Sequence, residues 1–275
     1  MRRTTDSLRT DGRTNDRGVS EVLGFILVFA IILGSVTLLS MTGFQAMQDY
    51  QEGEQLRNAE RAMEAFAENA NDVMRYDGID TRRGELSLQE GTVTTSDSGT
   101  KINITMTKDD SSQIVIPSGS HFSEYGNVTE NTINIGAFTY TVDNDRIAYE
   151  GGGVVRGDES GSVFLKRPQL RCDNKTTETA VISLVTISAD NQSIQSSGQV
   201  GFTISEVDNP GRTSNVYTDV DDVSIDVQGS PNERAWNRTL GHGNWERKDG
   251  IKGTCDFESD NGKVVVTLVE VDIEY

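Results

Sequence analysis

The sequence is poor in lysine, cysteine and histidine, and each shortage narrows what the protein can be. Only seven of its 25 basic residues are lysine, against 43 aspartates and glutamates, and the formal net charge is −18. Because a chain this acidic, without a basic stripe interleaved with aromatics, repels phosphate backbones, we expect no nucleic-acid partner. The acidity either serves ordinary solubility or adapts the surface to high salt, where carboxylates stay hydrated and self-repulsion is screened.

Residues that could carry catalysis are equally scarce. The two histidines, His121 and His242, have no cysteine or carboxylate partners at a zinc-ligand spacing. The sequence has no G-x-S-x-G elbow, and GGGVVRG lacks the Lys-Ser/Thr of a phosphate-binding loop. We therefore expect no enzyme and no cofactor. A membrane-tethered hydrolase with an unidentified carboxylate pair is a third, weaker hypothesis.

Two acidic clusters carry the oxygen ligands that Ca²⁺ prefers. Their members are Asp219, Asp221 and Asp222 in the first cluster and Asp256, Glu258 and Asp260 in the second. The second cluster resembles an EF-hand loop only superficially, because Asn261 stands at the required glycine position and no glutamate closes the loop. We interpret both clusters as solvated acidic loops and predict no metal site.

One long apolar run stands out near the start of the chain. Val22–Met41 contains twenty residues without a charge, and the uncharged run continues to Gln48. A helix of this length crosses a hydrocarbon core, whereas a secretory signal has about 7–15 apolar residues and a small-residue cleavage site. We predict a retained transmembrane helix in contact with membrane lipid. Five arginines precede the span, which indicates a cytoplasmic N-terminus and places the rest of the chain outside.

The junction before the span, DRGVSE, resembles the cleavage site of type IV prepilin-like (class III) signals. The segment RGVSEVLGFILVFAIILG is similar to the N-terminal sequences of pilin-like and archaellin-like proteins of salt-loving archaea. The resemblance implies that a prepilin-type peptidase cuts between Gly18 and Val19 and leaves the helix on the mature protein. Bacterial pilins commonly have glutamate as the fifth mature residue, but here Leu23 is fifth and Glu21 is third. We therefore do not transfer to this chain the role of that glutamate in pairing with the N-terminus of a neighbouring subunit. The alternative is an anchor that is never cut.

Beyond the span the sequence predicts an amphipathic stem helix that ends near residues 76–78. Its apolar residues recur at alternating spacings of three and four: Leu56, Ala59, Met63, Phe66, Ala70 and Val73. This seam packs either on the protein's own β domain or on helices of neighbouring subunits. The sequence leaves both possibilities open.

From about residue 80 the period changes to two, and many short β-like segments are separated by Gly, Asn, Asp and Ser. We predict an α+β protein in which a long N-terminal helix precedes a predominantly antiparallel, sandwich-like β head. The predicted organisation is a leader at 1–18, an anchor and stem helix at 19–78, and two parts of the head at 79–160 and 161–275. The last β segment is expected to be central.

Covalent features are expected in this head if it lies outside the cell. Cys172 and Cys255 either form a disulfide or remain two buried thiols. N-x-S/T triplets, which are glycosylation acceptors in extracellular domains, occur at Asn103, Asn127, Asn174, Asn191 and Asn237. Asn103 is the poorest candidate because it lies in a predicted strand.

Two functions follow as expectations. The resemblance implies a non-enzymatic minor or pseudopilin-type subunit of a type IV pilus-like surface structure, whose partners are other pilin-like subunits bound through the N-terminal helix. The alternative is a permanently anchored, adhesin-like β domain that recognises a ligand, a glycan or another cell.

Overall fold

The computed structural model describes residues 16–87, 91–108, 111–117, 122–123, 125, 128–129, 131–188, 191–195, 198–259 and 261–275. The leader up to residue 15, and with it most of the predicted segment 1–18, lies outside these residues. The chain divides into two compact units, Met1–Glu54 and Gln55–Tyr275.

The first helix, α1, spans Asp16–Arg75. Apolar residues and good helix formers fill it, and proline is absent from it, so nothing interrupts its backbone hydrogen bonds. The predicted end near residues 76–78 is confirmed. Gly78 follows with a positive φ of 89°, a conformation that glycine adopts easily after a helix end.

The rest of the described chain is β-rich, as predicted. The strands are β1 (Thr81–Ser87), β2 (Thr92–Ser96), β3 (Lys101–Lys108), β4 (Gln113–Ile116), β5 (Val128–Thr129), β6 (Thr132–Asn134), β7 (Ala137–Val142), β8 (Asp145–Glu150), β9 (Gly153–Asp158), β10 (Gly161–Lys166), β11 (Gln169–Asp173), β12 (Thr179–Ile187), β13 (Gln192–Gln195), β14 (Gln199–Glu206), β15 (Arg212–Gln228), β16 (Glu246–Lys248), β17 (Lys252–Asp256) and β18 (Gly262–Glu274). One short helix, α2 (Glu233–Thr239), lies between β15 and β16.

Among the described residues, twelve strands form one sheet. Seven of them lie along the path β1-β14-β18-β15-β3-β6-β5, and β4, β11, β12, β16 and β17 pair beside that path. Strand β18 pairs with β14 and β15 in antiparallel fashion and with β12 in parallel, so the expectation that the last strand is central is confirmed. Strand β15 pairs with three strands in all, and its register with β18 shifts between Tyr217 and Val220. Its first half pairs with β18, and its second half pairs with β3 and β17.

Six described strands form the second sheet, in the order β10-β9-β8-β7-β2-β13. The boundary that we predicted between residues 160 and 161 falls in the turn of the β9–β10 hairpin, whose strands pair directly. Each sheet also takes strands from both predicted parts of the head. The α+β class and the largely antiparallel head are as expected, but two sheets, rather than two consecutive stretches of chain, divide the head.

Two main apolar clusters fill the head. One gathers side chains from the stem part of α1 and from both sheets, including Phe66, Phe138 and Phe202. The other lies around Trp236 and includes Cys172 and Cys255. Alternating burial along the strands, as in β3, places every second side chain in these clusters.

Candidate functional site

The predicted span Val22–Met41 is an apolar helix whose side chains are exposed on every face. The exposed fraction is 72% for Phe25 and 70% for Leu39, values that polar surface residues usually show. Among the described residues, one helix, Glu21–Arg75, is long and apolar enough to cross a membrane. This feature fits a single-span membrane protein.

Two hydroxyl groups of this segment, those of Ser35 and Thr37, already have hydrogen-bond acceptors inside the helix. Ser35 Oγ donates to the carbonyl of Ile32 at 2.8 Å, and Thr37 Oγ1 donates to that of Leu33 at 2.8 Å. Because hydrocarbon offers no hydrogen-bond partners, internal bonds of this kind remove the cost of placing the hydroxyls in lipid.

The predicted cleavage residues Gly18 and Val19 lie in the first turn of α1, which begins at Asp16. The first backbone N–H groups of a helix have no intrahelical partners. Local unwinding to the extended form that a peptidase binds therefore breaks few hydrogen bonds at this position.

The predicted seam of the stem is buried in the protein's own head. Met63, Phe66, Ala70 and Val73 have no exposed surface, and Leu56 and Ala59 are also buried. The ring of Phe66 stacks on Phe138 with centroids 4.2 Å apart and contacts Phe202 at 4.8 Å. Of the two possibilities that the sequence left open, the structure shows packing on the β domain.

Ion pairs border this buried seam. Arg156 Nη1 lies 3.0 Å from Glu60 Oε1, and Arg82 Nη2 lies 3.1 Å from Asp72 Oδ2. Lys166 donates to Glu68, and this bond holds the pKa of the Glu68 carboxyl below its usual value. Each pair joins a carboxylate of the stem to a cation of the head. The three ion pairs together therefore help to fix the orientation of the stem on the head.

Two further contacts fix the stem. Asn71 is fully buried, and its Nδ2 donates to the Gly152 carbonyl at 3.0 Å while its Oδ1 accepts from Tyr149 Oη at 3.1 Å. Arg212 donates to the backbone carbonyls of Val73 and Tyr76 at the end of the helix. Its positive charge also interacts favourably with the negative end of the helix dipole there. Because Asn71 stands close to Asn69 and Asp72 in the sequence, no local pattern distinguishes it as a buried contact.

The two cysteines form a disulfide between β11 and β17, with a sequence separation of 83. Strand β11 extends the large sheet through β12, and β17 extends it through β15. The bond therefore joins two strands that attach to different neighbours in the sheet. Both strands went unrecognised in the sequence, so only the disulfide hypothesis pointed to their proximity.

The glycosylation candidates differ in accessibility. Asn191 is exposed, whereas Asn174 and Asn237 are half-buried, and Asn237 lies in α2. Asn103 lies in β3 as predicted, and its Nδ2 donates to the Asn131 carbonyl at 2.6 Å. Asn127 lies outside the described residues. Asn191 is therefore the described acceptor that a glycosyltransferase reaches most easily.

The two acidic clusters compare differently with the prediction. In the second cluster, Glu258 lies in the loop between β17 and β18 as predicted, and Asp256 is the last residue of β17. The first cluster departs from the prediction. Asp219, Asp221 and Asp222 lie within β15 at its register shift, so interpreting them as a loop was wrong. The error arose because a bulged strand at a sheet surface tolerates polar residues and a positive φ, which is 59° at Asp219. Asp260 lies outside the described residues, as does His121, and His242 is exposed. No group of three or more potential metal ligands occurs in the part of the chain that the structure describes.

The structure also contains a buried carboxylate that the sequence did not single out. Glu150 is 1% exposed at the end of β8, and its Oε1 accepts from Trp236 Nε1 at 2.6 Å. Its Oε2 accepts from Asn232 Nδ2 at 3.1 Å and lies 3.3 Å from Thr100 Oγ1. Burial raises the pKa of Glu150, and the hydrogen bond from Trp236 opposes that shift. Since a substrate cannot reach it, we assign Glu150 the structural role of holding α2 against β8.

Comparison with known proteins gave a match to one family model. Neither the curated proteins nor the solved structures give a match to this chain. A family model described as a family of unknown function (DUF7289) matches residues 17–274, a range that includes both the apolar helix and the head. The chain therefore belongs to the DUF7289 family.

Proposed function

We propose that this protein is a non-enzymatic, membrane-anchored pilin-like protein of the cell surface, serving as a minor or pseudopilin-type subunit of a type IV pilus-like structure. The observation that carries the proposal is the contrast within α1. The head covers the seam that begins at Leu56, whereas Val22–Met41 is apolar and exposed on every face.

This contrast determines which part of the helix is available to partners. An amphipathic seam that is already filled by its own head offers no apolar surface to other subunits. The apolar segment Val22–Met41 has only membrane lipid, or the equally apolar helices of other pilin-like subunits, as suitable surroundings. Assembly through the N-terminal helix accordingly uses this segment.

Three further features support the proposed cleavage after Gly18 and the proposed extracellular position of the head. The DUF7289 match begins at Arg17, so the matched range includes the proposed cut between Gly18 and Val19. The arginines before the span favour a cytoplasmic N-terminus, where a prepilin-type peptidase acts. The disulfide between Cys172 and Cys255 is the kind of bond that persists outside the reducing cytoplasm, which supports an extracellular head.

The decisive experiment is mass spectrometry of the N-terminus of the membrane-extracted protein, with a Gly18→Val variant beside it. A chain that begins at Val19, together with an uncut variant, is the expected result. The matched control is Gly24→Ala, because an added Cβ at Gly24 meets nothing within 4 Å and the junction is unchanged. A wild-type chain that still carries Met1 or Arg2 would overturn processing and leave a permanently anchored β domain.

Assembly requires a separate test. Filaments sheared from cells and probed with an antibody against the head are expected to contain the wild-type protein and a Gly53→Ala variant. Gly53 lies in the same helix outside Val22–Met41, and an added Cβ there meets nothing within 4 Å. The uncut Gly18→Val variant is expected to stay in the membrane fraction. Processing at Val19 without any protein in sheared filaments would show a processed anchor that does not assemble.

A further inference from the structure

An open cleft on the head, bordered by β9, β10 and α2, has a volume of about 330 Å³. Three arginines line it: Arg156, Arg234 and Arg238. In a chain with a net charge of −18, three guanidinium groups around one cleft are unexpected. We propose that this cleft binds an anionic saccharide, a sugar that carries a carboxylate or a sulfate group.

The three arginines differ in what they already bind. Arg156 lies 3.0 Å from Glu60 and 3.3 Å from Asp145, so its charge is largely compensated. Arg234 and Arg238 lie one turn apart on α2, and both are exposed. Arg238 makes no ion pair with any residue in the described ranges. The positive charge that a ligand meets therefore comes from the two arginines of α2.

The cleft holds Arg234 in place before any ligand arrives. Its Nη1 donates to the Ser160 carbonyl in the β9–β10 turn. A Cβ on Gly161 would approach Nη1 of Arg234 to 2.7 Å and its Cδ to 2.9 Å. A Cβ at position 161 would therefore displace the arginine side chain from its place across the turn. A guanidinium that is already positioned loses less conformational entropy when it binds an anion.

The one carboxylate that lines the cleft is engaged in its own turn. Asp158 Oδ1 accepts from the backbone N–H of Ser160 at 2.7 Å and from that of Gly161 at 2.9 Å. This carboxylate shapes the turn that carries Ser160. With Arg156 compensated by its own partners, two guanidinium groups face one carboxylate, so the cleft keeps a positive excess.

The polar lining indicates which anion fits. A guanidinium group donates two parallel N–H bonds to a carboxylate or sulfate. Ser162 Oγ accepts from the Ala235 N–H at 3.1 Å, which leaves its own O–H to donate to a sugar hydroxyl. None of the described residues that line the cleft is aromatic, so they offer a nucleobase no stacking surface. The volume lies at the lower end of small-molecule sites, which suits one or two sugar rings.

The test is isothermal titration calorimetry on the full chain in detergent micelles, with glucuronate, glucose 6-sulfate and uncharged glucose as probes. We expect one or both anionic sugars to bind and glucose not to bind. Arg238→Ala is expected to weaken binding about tenfold or more, since a charge-assisted bidentate contact is lost. Arg238→Lys keeps the charge without the planar fork and should give an intermediate affinity.

Two further variants separate the cleft from general charge effects. Gly161→Ala is expected to weaken binding by displacing Arg234, although every charge stays in the chain. Arg171→Ala removes an exposed arginine from β11, in the other sheet, and should leave the affinity unchanged. Equal binding of glucose and glucuronate, no binding of either anionic sugar at millimolar concentration, or an equal loss in Arg171→Ala and Arg238→Ala would overturn the proposal. If Gly161→Ala does not fold, the variants at the exposed Arg238 carry the test.

Discussion

Two segments of the same helix meet opposite surroundings. Val22–Met41 is exposed on all sides, whereas the apolar residues of the seam, from Leu56 to Val73, are buried in the head. Both segments are helical, although Val22–Met41 is rich in Val, Ile and Gly, which are weaker helix formers in water than most residues of the seam. Backbone propensity therefore does not explain their different surroundings. The difference lies in the arrangement of apolar residues: one segment is apolar all round, and the other has apolar residues at alternating spacings of three and four.

This comparison shows how sequence pattern selects a solvent. A helix with one apolar face buries that face against a protein core and leaves its polar face in water. A helix that is apolar all round cannot be covered by one head, so it requires lipid or a bundle of similar helices. The two segments therefore depend on different stabilising forces, and variants in one should leave the other intact.

The largest expected effect is in the aromatic cluster of the stem. Phe66→Ala should lower the free energy of unfolding of the head by about 3–5 kcal/mol, because it opens a cavity beside Phe138 and Phe202. Denaturant unfolding followed by tryptophan fluorescence measures this, since both tryptophans, Trp236 and Trp245, are buried in the head.

The matched control for this variant is Phe25→Ala. Phe25 is 72% exposed and stacks only on Phe29 among the described rings, so the same fluorescence transition should not move. An equal shift in both variants would break the proposed independence of the two segments.

Removing the disulfide should have the next largest effect. The double variant Cys172→Ser/Cys255→Ser releases a loop closed over a sequence separation of 83 and should cost the head about 4 kcal/mol. Far-UV circular dichroism of the anchor in micelles is expected to remain helical while the fluorescence transition of the head moves to lower denaturant. An unchanged transition would mean that the crosslink contributes nothing to the head's stability.

A smaller effect is expected at the polar contact inside the seam. Asn71→Ala leaves the buried Tyr149 hydroxyl and the Gly152 carbonyl without their partner and should cost about 1–3 kcal/mol. Asn69→Ala is the control on the same helix, because Asn69 bonds only to the Ala65 carbonyl of its own helix at 3.1 Å, and it should change stability by about 0.5 kcal/mol or less. Similar losses in both would contradict a specific role for Asn71.

The smallest effect concerns pH. Because burial raises the pKa of Glu150 above its usual value of 4.5, the folded state binds the proton more tightly than the unfolded state. Stability is therefore lost as the pH rises from about 4.5 through the folded-state pKa. The Glu150→Gln variant does not titrate, so its unfolding temperature should gain on that of the wild type as the pH rises. Parallel curves from pH 4 to 8 would disprove the shift.

Local patterns were sufficient for the long helix α1 and for most strands. The charge-free run and the three-four seam predicted α1 to within a few residues of its end, and period-two alternation predicted strands such as β3 and β18. The same reasoning missed α2, β5, β11, β13, β16 and β17, and it interpreted Asp219–Asp222 as a loop. These elements are short or polar, and they are ordered by contacts such as that between Trp236 and Glu150, which lie 86 residues apart in the chain.

The sequence by itself determined that the chain has an apolar helix able to cross a membrane, an amphipathic stem and a β-rich head, because each of these depends on spacing within a few residues. Only the tertiary structure decided that the seam packs on the protein's own head, that Cys172 meets Cys255, and that three arginines line one cleft. Those outcomes depend on pairings between distant strands, such as β12 with β18. Strand pairing of this kind is set by the packing of the whole core, which local periodicity does not encode.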